Sequence, residues 1–167
     1  MPYAYYAKLN AKQKAIYRRS DATATIPLPN NKGLLDVLEQ LKIALIAEDR
    51  RETEAILRRL AEAILNDLKV APITLTLLAA RPSHDWGELY GLYEIPEEKC
   101  RARITLWMRT AQQKKVVAFK TFLRTFLHEL CHHLDYELLK LEDSFHTQGF
   151  FRRESSLFKQ LLPHKAQ

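Results

Sequence analysis

The segment from residue 116 to residue 141 constrains the fold most, because it contains neither glycine nor proline. Leucines recur along it at spacings of three and four residues, at positions Leu123, Leu127, Leu130, Leu134 and Leu138. This spacing places all of them on one face of an α-helix. The sequence therefore predicts a long helix whose leucine face is buried in a core.

The opposite face of this predicted helix carries two histidines one turn apart, in the sequence His128-Glu129-Leu130-Cys131-His132. At 100° per residue, His128 and His132 project about 40° apart, so their imidazoles can share a zinc ion. Glu129 can then lie beside the metal without ligating it and accept a proton from a bound water. We predict a zinc site with Glu129 as the catalytic base. The alternative is an exposed helix face that carries these side chains without a metal.

Zinc needs a third protein ligand, and the sequence leaves two candidates. His146 lies fourteen residues after His132, where residues 142–144 let the chain turn back. Glu154 lies on the apolar face of a closing helix predicted over residues 149–162, where a hydrogen-bonding or ion-pairing role is favoured over ligation. Asp135 projects on the histidine face and is expected to accept a hydrogen bond from a ligand imidazole. We predict that His146 is the third ligand.

The remaining sequence predicts a helical scaffold followed by a small sheet. Leucine and isoleucine recur at helical spacing in two runs within residues 31–69, and Pro72 prevents further helix. Apolar and polar residues then alternate, as in strands, near residues 73–77, 89–95 and 101–109, and we expect the last of these to be an edge strand. Residues 1–30 contain four tyrosines before a proline-rich turn and are predicted to form a docking arm. The fold class is therefore α+β.

The motif region resembles the SprT-like branch of the zincin metallopeptidases. The resemblance rests on the His-Glu-x-x-His motif at residues 128–132, on His146, and on an aromatic residue four positions later at Phe150. Residues 91–93, leading to residues 103–106, are similar to the strand pair that precedes the active-site helix in that family. The likeness covers residues 70–162.

This resemblance implies a zincin-like metallopeptidase fold in which His128, His132 and His146 bind Zn²⁺ and Glu129 is the catalytic base. One departure from the family is Thr147, which stands where a glycine usually follows the third histidine. We expect one domain over residues 1–167: a tyrosine-rich arm (1–30), a helical scaffold (31–69) and a catalytic core (70–162). The expected partner is a peptide or protein substrate, and the expected activity is peptide-bond hydrolysis.

Composition limits the alternatives. Two cysteines are too few for a four-cysteine zinc ribbon, so a metal site must use histidine and carboxylate. A net charge of +6 permits weak attraction to nucleic acid, but the basic residues are scattered in pairs. No apolar run is long enough to span a membrane and no secretory signal is visible, so we expect a cytoplasmic protein. A catalytically silent zinc or protein-binding module and a nucleic-acid-associated protease are the competing hypotheses.

Overall fold

The computed structural model describes residues 1–84, 87–88, 91–98 and 100–162, and combines α-helices with a small mixed sheet, as the sequence predicts. The helices are α1 (Ala11–Asp21), α2 (Leu35–Ile46), α3 (Arg50–Leu68), α4 (Phe119–Glu137) and α5 (Gln148–Leu161). The strands are β1 (Ile73–Ala80), β2 (Ser83–His84), β3 (Gly87–Glu88), β4 (Gly91–Glu94) and β5 (Ala102–Arg109). Short 3-10 turns cover Ala4–Lys8 and Asn31–Leu34.

The scaffold helices begin and end where local chemistry dictates. Helix α3 begins after Asp49, whose side chain accepts a hydrogen bond from the backbone N–H of Glu52. It ends at Leu68, and the next residue, Lys69, adopts a left-handed conformation with φ of 57°, three residues before Pro72. Helices α2 and α3 contribute leucine and isoleucine side chains to one core that also includes the sheet, α4 and α5.

The main sheet has the strand order β1-β5-β4, with β1 parallel and β4 antiparallel to β5. The prediction that residues 101–109 form an edge strand is therefore wrong, because β5 is the central strand. The reason is visible in its burial: Thr105 and Trp107, which alternate with the aliphatic side chains, are buried as well. In the described part of the chain, β4 pairs with β5 alone and packs against α4 on the side of the two histidines. The predicted strand over residues 89–95 lies partly outside the described residues.

The arm is more ordered than the sequence predicts, since residues 11–21 form helix α1. A reciprocal capping box between Asn10 and Gln13 begins this helix. Ile16 and Tyr17 are buried, and α1 packs against α5. The arm thus contains a packed helix, whose buried face is short and is surrounded by polar residues in the sequence. In the described ranges, no helix is long and apolar enough to cross a membrane.

Candidate metal centre

Three histidine side chains converge where α4 meets the segment that connects it to α5. His128 and His132 project from one face of α4, and His146 comes from the irregular segment between the two helices. One nitrogen of each ring lies within 4.8 Å of the others, and the Nε2 atoms of His132 and His146 are 3.0 Å apart. The group of His128, His132 and His146 could therefore hold a metal ion, as the sequence predicts.

Hydrogen bonds at the outer nitrogens fix the orientation of the two helical imidazoles. Nδ1 of His128 lies 2.7 Å from Oε1 of Glu154 and donates a hydrogen bond to that carboxylate. Nδ1 of His132 donates to Oγ of Ser144 at 2.7 Å, because the Ser144 hydroxyl uses its own proton to bond Asp135 Oδ2 at 2.8 Å. Each ring is then left with an unprotonated Nε2, which is the state needed for metal binding.

The spacing and chemistry of the three nitrogens fit zinc. A tetrahedral ion with Zn–N bonds of about 2.0–2.1 Å needs nitrogens roughly 3.3 Å apart, which lies within the range of separations observed here. Three neutral imidazoles are also a common ligand set for a catalytic zinc, with one position open. Phe150, which is fully buried, lies with its ring centroid 4.8–5.1 Å from all three imidazole centroids and forms the apolar floor of the site.

The three imidazoles have different pKa values because their surroundings differ. Burial lowers the pKa of His132 to about 3, assisted by the positive charges of His128 and His146. Burial and His128 also lower the pKa of His146. Burial alone would lower the pKa of His128, but the hydrogen bond with Glu154 and the negative charges of Glu129 and Glu154 outweigh it, so this pKa is raised. Of the three histidines, His128 therefore keeps its proton to the highest pH.

Glu129 is buried beside His128, against the backbone of β4. A Cβ atom on Gly91 would lie 2.9 Å from Cγ of Glu129, so β4 can approach α4 this closely only because residue 91 is glycine. Burial raises the pKa of the Glu129 carboxyl, His128 opposes this shift, and Glu154 adds to it. A carboxylate whose pKa is raised accepts a proton more readily, which suits the base predicted from the sequence.

Glu154 lies behind His128, outside the group of three nitrogens. Its side chain is buried and joins α5 to α4. Oε1 contacts Nδ1 of His128, and Oε2 lies 3.3 Å from Nη1 of Arg124. The Arg124 guanidinium also stacks 4.2 Å above the ring of Phe158. In the structure, Glu154 therefore occupies the hydrogen-bonding position that the sequence favours for it.

The sequence predicts that Asp135 accepts a hydrogen bond from a ligand imidazole, but in the structure the Ser144 hydroxyl lies between His132 and the Asp135 carboxylate. Its other oxygen accepts a hydrogen bond from Arg153 Nη2 at 3.0 Å, in an ion pair whose side chains are both fully buried. Burial raises the pKa of Asp135, and the Arg153 guanidinium opposes that shift. Sequence reasoning missed Ser144 and Arg153. The only sequence signal for Ser144 was its place in the predicted turn at residues 142–144.

Two further residues of the motif region have structural roles. Nε2 of His133 donates to the Ala71 carbonyl at 2.7 Å, and its Nδ1 accepts from the Tyr93 hydroxyl at 3.0 Å, so this ring joins α4 to the start of the sheet. Cys131 is fully buried in the core. Neither side chain belongs to the three-histidine group.

A cleft of about 570 Å³ opens beside His128 and Glu129. Its lining comes from α4 and α5 and consists of Lys120, Thr121, Arg124, Thr125, His128, Glu129, Phe151, Glu154 and Phe158. The cleft gives access to the predicted base and to one of the three histidines.

No family model, curated protein or solved structure matches this chain.

Proposed function

We propose that this chain is a zinc metallopeptidase with a zincin-like fold, similar to the SprT-like family, that hydrolyses peptide bonds in a peptide or protein substrate. The observation that carries the proposal is the convergence of His128, His132 and His146 beside the buried carboxylate of Glu129, at the edge of a cleft. Zinc, when bound, supplies a Lewis acid that acidifies a water and polarises a carbonyl. We further propose that the protein acts in the cytoplasm.

The residues around the three histidines have distinct roles in the proposed reaction. Glu129 accepts the proton of the attacking water and later delivers it to the leaving amine. Glu154 and Ser144 hold His128 and His132 in the tautomer that directs Nε2 inward.

Strand β4 offers a place for the substrate backbone. It pairs with β5 along one edge and packs against α4 at Glu129, so an extended peptide added to its other edge would pass beside the base. Strand β5 cannot take this role, because it is the central strand of the sheet. The cleft lined by α4 and α5 would then receive substrate side chains.

The proposal is tested by replacing Glu129 with glutamine, which keeps the shape of the side chain but cannot accept the proton. We expect Glu129→Gln to retain zinc and to lose cleavage of a mixed peptide library, as measured by mass spectrometry. The matched control is Glu137→Gln at the last position of the same helix, which should cleave at the wild-type rate. Cleavage by Glu129→Gln at the wild-type rate would contradict the assignment of the base.

The same library separates the peptidase from the competing hypotheses. A wild-type chain that binds zinc but cleaves no peptide would be a silent zinc module. A buried glutamate facing a cleft argues against that outcome, since a purely structural zinc site gains nothing from such a group. Retention on DNA that weakens steeply with salt would instead favour the nucleic-acid-associated protease.

A further inference from the structure

We propose that the N-terminal arm, residues 1–30, is a structural part of the metal centre and that Tyr5 is a positioning residue for His146. The Tyr5 hydroxyl donates a hydrogen bond to the His146 carbonyl at 2.8 Å, across 141 positions of sequence. His146 is the most exposed of the three histidines and the only one outside a helix. This inference rests on the proposed zinc site but not on peptidase activity.

The Tyr5 hydroxyl is held in place by packing against the rest of the arm. Its ring meets the ring of Tyr17 edge-on, with centroids 5.5 Å apart, and Tyr17 is almost completely buried. The Tyr17 hydroxyl accepts a hydrogen bond from the Tyr3 backbone N–H at 2.9 Å, which closes the 3-10 turn over α1. Because these contacts orient the ring beforehand, the bond to His146 needs little additional ordering.

The arm also contacts the residues on both sides of His146. On one side, the Tyr17 ring lies 6.5 Å from the ring of Phe145. On the other side, the hydroxyls of Ser20 and Thr147 are 3.0 Å apart and both side chains are buried. The third ligand is thus held from three directions by an arm that the sequence presents only as a tyrosine-rich segment.

The backbone at the start of α5 packs closely against the backbone of the arm. The Gly149 N–H donates to Oδ1 of Asp21 at 2.8 Å, and a Cβ atom at residue 149 would lie 2.5 Å from the Ser20 carbonyl oxygen. Only glycine permits this approach without displacement of one backbone or the other. The cleft beside His128, by contrast, is lined by α4 and α5, so the arm supports the ligand segment and does not form the cleft wall.

The test compares Tyr5→Phe with Tyr6→Phe in the full-length chain. Both variants keep an aromatic ring against Tyr17. The hydroxyl removed from Tyr6 accepts a hydrogen bond from Arg18, whereas the hydroxyl removed from Tyr5 donates one to the His146 carbonyl. We expect Tyr5→Phe to weaken zinc binding about fivefold in competition with a chromophoric chelator, the effect of losing one typical hydrogen bond. Tyr6→Phe should bind zinc as the wild type does, and the two metal-free variants should unfold at similar temperatures.

Two results would overturn the assignment of Tyr5. One is wild-type zinc affinity in Tyr5→Phe, and the other is an equal loss in Tyr6→Phe, which would indicate a general loosening of the arm. A wild-type chain that takes up no zinc would contradict the metal centre itself, and this inference with it. Zinc uptake without any peptidase activity would contradict the proposed function and leave the role of Tyr5 standing.

Discussion

Replacing Arg153 by methionine should lower the stability of the chain by about 3–5 kcal/mol. The Arg153 side chain has no solvent exposure and forms an ion pair with Asp135, which is equally buried. Its guanidinium also donates to the carbonyl oxygens of Ser20 and Thr23 and to the Ser20 hydroxyl. Methionine fills a similar volume, so the main loss is electrostatic: the Asp135 carboxylate stays buried without its positive partner.

The magnitude follows from the burial of both partners. Removing one member of a buried pair costs about 3–5 kcal/mol, because the remaining charge is uncompensated. For a chain of this length each kcal/mol lowers the unfolding midpoint by about 2–4 °C, so a decrease of about 6–20 °C is expected. Without Arg153 the pKa of Asp135 rises further in the folded state, so the folded variant binds a proton more tightly than the unfolded chain. Its stability deficit should therefore shrink as the pH falls from about 8 to about 5.

The assay is urea unfolding of the metal-free protein, followed by circular dichroism. Arg152→Met is the matched control, because Arg152 is the neighbouring residue and is exposed to solvent. The double variant Asp135→Leu/Arg153→Met should recover part of the loss, since removing both charges leaves no buried ion. A stability of Arg153→Met within about 1 kcal/mol of the wild type would refute the reasoning, because such a small change is typical of surface substitutions.

Three further predictions concern the metal and the base. His146→Ala should weaken zinc affinity by orders of magnitude, whereas Glu154→Gln should weaken it about 10–100-fold; the reverse order in a competition titration would make Glu154 the ligand. As the pH falls from about 7 to about 5, zinc affinity should fall with a slope of about one proton, because His128 alone among the three has a raised pKa. A slope of three in isothermal titration would contradict this. Gly91→Ala should lower cleavage while zinc stays bound, because the new methyl group displaces Glu129; an unchanged cleavage rate would show that β4 does not position the base.

The parts of the fold that the sequence predicts are those specified by near neighbours in the chain. The leucine stripe predicts α4, and the four-residue spacing of His128 and His132 places both on its opposite face. The central position of β5 depends on which strands pair, and that is decided by packing between distant segments. The alternation of residues 101–109 is typical of an edge strand and of a central strand alike, so the sequence could not separate the two.

The support of the site was harder to predict for the same reason. Ser144 acts on His132 from twelve residues away, whereas Tyr5 meets the His146 carbonyl across 141 residues. No periodicity or motif links positions so far apart. The helical spacing projects Asp135 onto the histidine face, but the hydroxyl between it and His132 comes from another segment. The sequence thus identifies the group that could hold a metal. Most of the hydrogen bonds that support this group are visible only in the structure.

Anomalous scattering at the zinc absorption edge, measured on crystals of the zinc-treated protein, tests the metal centre most directly. We expect one peak per chain, bonded to one ring nitrogen each of His128, His132 and His146, with Glu154 hydrogen-bonded to His128 and outside the coordination sphere. The absence of a peak at this position, or a peak bonded to Glu154 in place of His146, would contradict the central claim.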